Sequence, residues 1–321
     1  MDNALYFPFI SVPESAWFTR VLLYWDQVGS IIPFEFVERP DHLTKYTQDL
    51  LANELLTQIH PGQYVWRAPR FKDAFAEYIE SLMNSELEER RKTFQKHGSS
   101  RIHTEKMQEI TEYLIHAGLA RKVNLSWCDV ENRTAGEFMT YLAALLGQLK
   151  EVRSTPVTDV DSNLDPFLLA SYSKPNVESR LAPLRKIVLE RLLPVPELPM
   201  EPTRLRAFKK RHGVELSRFR HSIEQEISAL ADMTDPDLQN HRLENFIADK
   251  QAEVEQISAH LSEGGLGYIL FSKLCAIIAA IPRAHPVFGL ANAVYSALSG
   301  SSRQVERGAL LYAAYVKKKL G

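Results

Sequence analysis

The stretch ALYFPFISV at residues 4–12, followed at once by PESAWFTRVLLYWDQVGSIIP, constrains this chain more than any other part of it. A charge-free run of Leu, Tyr, Phe, Ile and Val fits a strand buried on both faces. Pro13, Glu14 and Ser15 are helix-start residues, with acidic charge where a helix dipole favours it. Trp17, Phe18, Val21, Leu22, Leu23, Tyr24, Trp25 and Val28 then make a helix that is apolar nearly all round, as expected deep in a core. Gly29 and Pro33 end it, and residues 34–37 (FEFV) read as a second strand. The prediction is a strand–helix–strand start with parallel strands.

Beyond this start the pattern is mostly helical. Spacings of three and four predict helices over 43–59, 71–94 and 135–149, with a short strand at 64–66. Residues 101–117 read as a helix with Gly118 as its C-cap, and 120–131 as a hairpin. A helix leaving through Gly-Leu into a hairpin is also how a winged helix-turn-helix ends. DNA binding would need a basic helix, whereas this one sets Glu105, Glu109 and Glu112 against Lys106. PVTDV at 156–160 reads as a strand, and residues 180–192 as a helix. The proline-rich run at 194–202 cannot be a helix interior or a central strand, so it marks a connector. It divides the chain into an N-terminal part, 1–193, and a helical part, 203–321. In the latter, Leu205, Phe208, Leu216, Phe219, Ile223, Ile227 and Leu230 form a narrow apolar seam. A break at 232–240 and a second apolar helix predict an antiparallel hairpin. The fold class expected is α+β, predominantly helical.

Composition narrows the function classes. With 45% hydrophobic and 24% charged residues the chain can bury a sizeable core, and its net charge of −2 gives no overall attraction to nucleic acid or anionic membrane. Cys128 and Cys275 are too few for a disulfide framework, which fits a reducing cytoplasm. Residues 264–300 are rich in small apolar residues, but Lys273, Arg283, His285 and two prolines interrupt them. They read as buried core helices rather than a membrane span, with a short re-entrant hairpin as the membrane alternative.

No nucleotide or nucleophile motif is present; GGLG at 264–267 lacks the spacing of a phosphate loop. Three groups of residues are candidates for chemistry. Asp159, Asp161, Asn163 and Asp165 alternate as at the start of a calcium loop and could hold a divalent metal. Leu164 and Ala170 stand where such a loop needs glycine and glutamate. The alternative is a polar loop capping backbone amides. Asp26 lies on the apolar helix, where a buried carboxylate needs a partner or a shifted pKa; it is the catalytic candidate. Because strand carboxyl ends collect ligands in α/β units, the ends of strands 5–12 and 156–160 are natural neighbours. Arg204, Arg206, Lys209, Lys210 and Arg211 form a basic cluster that could meet nucleic-acid phosphates, or a solvated helix face.

Several segments, taken in order, resemble an uncharacterised bacterial family, a domain of unknown function. They are LYFP at 5–8, LLYWDQVGSIIP at 22–33, IHTEKM at 102–107, HAGLA at 116–120, FMTYLAALL at 138–146, PVTD at 156–159, LPVP at 193–196 and FKKRHGVELSRFR at 208–220. The resemblance implies a bacterial, cytoplasmic protein and brings no established activity. Families of this kind often sit among phage-defence genes. The expectation favoured is a non-enzymatic interaction or regulatory component that binds a protein partner or itself through the hairpin and C-terminal helices. The alternatives are a metal-dependent hydrolase built on the aspartates, and a defence effector acting on nucleic acid or membrane.

Overall fold

Strand β1 (Asn3–Tyr6) is hydrogen-bonded on both sides, and Ala4, Leu5 and Tyr6 are completely buried. Its neighbours β2 (Gln27–Ile31) and β7 (Thr155–Val157) both run parallel to it, and β3 (Leu56–Ile59) adds to β2. The sheet order is β3-β2-β1-β7. The computed structural model describes residues 3–68, 71–96, 98–159, 177–193 and 201–263. The fold is α+β and predominantly helical.

The parallel strand–helix–strand start is present, with its second strand earlier than expected. Helix α1 (Ala16–Tyr24) stops at Tyr24, and the chain enters β2 three residues later. Gly29 is not a helix stop. It is the residue at which a Cβ would come within 2.9 Å of the Ile59 side chain, so glycine lets β2 and β3 close up. FEFV forms a short helix, α2 (Glu35–Glu38), because the Phe36 and Val37 amides donate back to the carbonyls of Pro33 and Phe34.

The expected 43–59 helix is also divided. Helix α3 (Lys45–Ala52) is capped by Thr44 and closed by a bond from the Leu55 amide to the Leu50 carbonyl. Glu54, at φ 57°, makes that turn, and Leu56 to Ile59 pair with β2 instead. Tertiary pairing overrode an apolar spacing that fits either helix or strand.

Between β3 and β7 the chain makes a long insertion. It comprises α4 (Pro61–Tyr64), α5 (Phe71–Ser81), α6 (Asn84–Lys96), β4 (Ser99–His103), α7 (Thr104–Met107), α8 (Ile110–His116), β5 (Ala120–Lys122), β6 (Trp127–Glu131) and α9 (Asn132–Gln148). Residues 64–66 are helical rather than a strand, the 71–94 helix is two helices, and 99–103 is a strand rather than the start of a helix. Strands β4, β6 and β5 form an antiparallel sheet in that order. Helix, strand, two helices and hairpin is the order of a winged helix. Gly118, at φ 73°, ends α8 as expected, with the Leu119 amide bonded to the Leu114 carbonyl and the Gly118 amide to Ile115. Glu112 on α8 and Glu109 just before it are exposed carboxylates.

A buried ion pair ties α6 to α9. The Arg90 guanidinium donates to both Glu137 oxygens at 2.6 and 3.0 Å, and also to Glu86 and Thr134. Burial and the Glu137 carboxylate push the nearby Tyr78 phenol well above its usual range. The core beneath joins the apolar residues of β1, α5, α8 and α9, including Leu5, Phe75, Leu114, Phe138 and Leu142.

Contacts divide the chain into two compact units, Met1–Pro13 with Trp25–Asn176, and Glu14–Tyr24 with Val177–Gly321. The second holds α1, α10 (Val177–Leu192), α11 (Pro202–Ala231) and α12 (Pro236–Glu263). This grouping places α1 and α10, both on the N-terminal side of the expected boundary, with the C-terminal helices. The hairpin of α11 and α12 is antiparallel, since Glu226 pairs with Arg242 while the Leu230 carbonyl accepts from Gln239. Most of the proline-rich connector, and residues 264–321, lie outside the described residues.

Polar bonds hold α1 among these helices. The Lys209 and Arg220 cations donate to the carbonyls of Leu22 and Tyr24, where the helix dipole favours positive charge. The Tyr24 hydroxyl donates to Glu224 at 2.7 Å, and Arg185 grips the same carboxylate with two bonds. Arg185→Met should therefore destabilise the chain by about 2–3 kcal/mol, because it leaves Glu224 without its cation. Urea unfolding checks this, and Arg185→Met combined with Glu224→Leu should recover part of the loss.

Candidate functional site

Parallel strands that share a direction also share an end at which their exit loops gather. Here the exits of β1, β2 and β3 carry large apolar side chains into solvent. Phe9 is 56% exposed, Phe34 49% and Trp66 71%. The turn between β5 and β6 adds Leu125, at 89%. Phe9, Phe34 and Leu125 belong to loops bonded to one short segment, Thr104-Glu105-Lys106 of α7, and Trp66 follows α4, whose Gly62 is bonded to the same segment.

The bonds are specific. The Thr104 amide donates to the Ser126 carbonyl at 2.8 Å and its hydroxyl to the Leu125 carbonyl at 3.2 Å. Glu105 accepts from the Phe34 amide at 2.7 Å with one oxygen and from the Gly62 amide at 3.3 Å with the other. Gly62 permits this approach, since a Cβ there would stand 3.1 Å from the carboxylate oxygen. The Lys106 ammonium or amine donates to the Pro8 carbonyl, one residue before Phe9. Gln108 follows at φ 49°, a strained conformation of the kind that collects at functional sites.

His103 completes the cluster. Its Nδ1 accepts from the Glu105 amide, so the ring proton resides on Nε2 and is donated to Glu35 at 3.0 Å. That bond, with a further one from Ser126, holds the Glu35 carboxyl below its usual range. The ring stacks edge-on against Trp127 and Phe36, and His60 meets Phe34 in the same way.

Lys106 has the most unusual environment. It is 2% exposed, and burial pushes its amine down to about 7 against the opposing pull of Glu105. Its sequence context disguises this, because a lysine in an acidic stretch reads as a solvated helix face. The signal was available in part: Ile102, Met107 and Ile110 bracket it with apolar residues.

The residues expected to carry chemistry fall elsewhere. Asp26 is not on the apolar helix but in the exposed bend between α1 and β2, at the amino end of the sheet. Asp159 stands two residues past β7, at the carboxyl end, where it accepts from the Tyr6 hydroxyl at 3.1 Å. Burial and this carboxylate drive the Tyr6 phenol far above its usual range. The register of β2, β1 and β7 separates the two aspartates by about six strand residues, roughly 20 Å. They do not converge on one ion. Asp161 and Asp165 lie outside the described residues, and among the described residues no three His, Cys, Asp or Glu are gathered to hold a metal. Strand ends 1 and 7 are neighbours as expected.

In the second unit the basic cluster is split. Arg204, Arg206, Lys210 and Arg211 are exposed on α11, while Lys209 turns inward to the α1 carbonyl described above. No described helix is long and apolar enough to cross a membrane.

The class so defined is an α+β protein with a four-stranded parallel sheet, a winged-helix-like insertion and apolar exit loops at the sheet's carboxyl edge. No family model, curated protein or solved structure matches the chain.

The Glu35 bond has a pH consequence. A carboxylate held low by folding contributes stability in full above its unfolded value, and loses it as pH falls through the folded one. The stability gap between wild type and Glu35→Gln should therefore be open at pH 7 and should close on acidification below 4.5. Urea midpoints measured at neutral and acid pH check this.

Proposed function

We propose that this chain is a non-enzymatic interaction component that binds a protein partner, or a second copy of itself, through the carboxyl edge of its parallel sheet. The observation that carries the reading is the set of four exposed apolar side chains, Phe9, Phe34, Trp66 and Leu125, on segments fastened to residues 104–106. Large apolar groups exposed on segments that one element fastens are candidates for an association surface, and aromatic residues dominate the energetics of such surfaces. Loops held in place beforehand need little further ordering when a partner arrives, which favours affinity.

The sequence alone placed the partner surface on the helical hairpin and the C-terminal helices. Among the described side chains of that hairpin the exposed large apolar residue is Val214, and residues 264–321 lie outside the described residues; the proposal therefore rests on the sheet edge, where the exposed apolar side chains are seen. The same proposal sets the protein in a bacterial cytoplasm, as an accessory component of a process such as phage defence. The family resemblance and the buried free thiol of Cys128 support that setting.

Light scattering over rising concentration, together with pull-down using the tagged full chain, tests the reading. A mass above the 36.6 kDa monomer, or a co-purifying partner, is expected. Trp66→Ser with Leu125→Ser should weaken either association at least about tenfold without altering the unfolding midpoint. A strict monomer that retains no partner overturns the proposal.

A further inference from the structure

The surface just proposed depends on three consecutive side chains, and the last of them is chemically out of place. The Lys106 nitrogen is buried and its bonded partner is a single carbonyl, that of Pro8, at the long distance of 3.3 Å. Among the described residues it makes no ion pair. Glu105 is adjacent, but both of its oxygens already accept backbone amides, from Phe34 and Gly62. The other titratable groups on the loops tied to α7 are also engaged. Glu35 and His103 bond each other, Tyr6 and Asp159 bond each other, and His60 faces the Ile32 carbonyl. A charged ammonium in this position lacks the paired carboxylate that buried cations require, so the neutral amine is the form that fits.

Resting on the association reading above, we propose that Lys106 is a proton-operated clasp on that surface: neutral, it keeps the Pro8 loop fastened to residues 104–106, and protonated, it loosens that loop and then the segment that holds the others. The amine is already down to about 7, so the change falls in the neutral range. The sign follows from linkage. An unfolded lysine stays protonated up to about 10.5 while the folded one has released its proton. The unfolded or opened state therefore binds more protons, and closure strengthens as pH rises from about 7. Acidification from pH 8 to 6 should open the segment locally, at the Pro8 bond first and then at the amides held by Glu105.

Amide hydrogen exchange on the full chain reads this without any partner. After correction for the intrinsic pH dependence of exchange, protection at Phe34 and Gly62, whose amides Glu105 holds, should fall about tenfold between pH 8 and pH 6. Protection at Leu5 in β1 should not change. Lys106→Met keeps the apolar stem and removes the proton, so its protection at these amides should be independent of pH. As a second measurement, NMR titration of the Lys106 side chain in the wild type should give a midpoint near neutrality. A midpoint near that of free lysine overturns the proposal, and so does the same pH-dependent loss of protection in Lys106→Met. Failure of these measurements leaves the association result of Trp66→Ser with Leu125→Ser unaffected, so the two readings are tested apart.

Discussion

Everything in the first unit follows from β1 having a parallel neighbour on each side. A strand of four residues buried on both faces satisfies its backbone only if two others reach it. Parallel neighbours cannot be joined by tight turns, so each return to the sheet needs a crossover. The first crossover contains α1, the second α3, and the third the whole insertion from α4 to α9. Strands of one direction also deliver their exit loops to one edge. The long third crossover supplies the segment that fastens those loops, and so the topology creates the site.

That segment divides its labour by chemistry. Polar groups of Thr104, Glu105 and Lys106 take up backbone amides and carbonyls, which frees the loops' apolar side chains to point outward. Loop backbones so satisfied cost little to keep in place, whereas exposed aromatic residues cost free energy unless something covers them. The arrangement therefore holds apolar surface in water by means of polar bonds to residues 104–106. This is the reverse of an ordinary core, and it is what the proposed association rests on.

The sequence made the strand–helix–strand start legible, along with the hairpin at 120–131, the Gly118 cap, the long seam of α11 and the meeting of strand ends 1 and 7. In the first four a local pattern has one physical solution, and the last follows from parallel strands sharing an end. It misled where two elements share a pattern. The residues of β3 continue a helical spacing, and only the closure of α3 at Glu54 and Leu55 and the pairing with β2 tell them apart. Asp26 was placed on a helix because Trp25 and Val28 continue its apolar run, yet those two residues are buried around a bend instead. Lys106 was only partly legible, for a different reason. Its bonded partner, the Pro8 carbonyl, is 98 positions away, and Glu105 and Glu109 around it suggest a solvated face.

Helix α1 carries a consequence for how the chain is made. Its apolar side chains Phe18, Leu22 and Leu23 are buried, and its last turn is held by Lys209, Arg220 and Glu224, 187 to 200 positions later. At ~5–20 residues per second, a ribosome takes roughly 10–40 s to deliver those partners after α1 has emerged. Throughout that interval one of the most hydrophobic helices of the protein has no place to go, although the strands on either side of it already have theirs. A chaperone that shelters α1 on the nascent chain would serve this protein, and a chain cut before α11 would leave the helix permanently stranded.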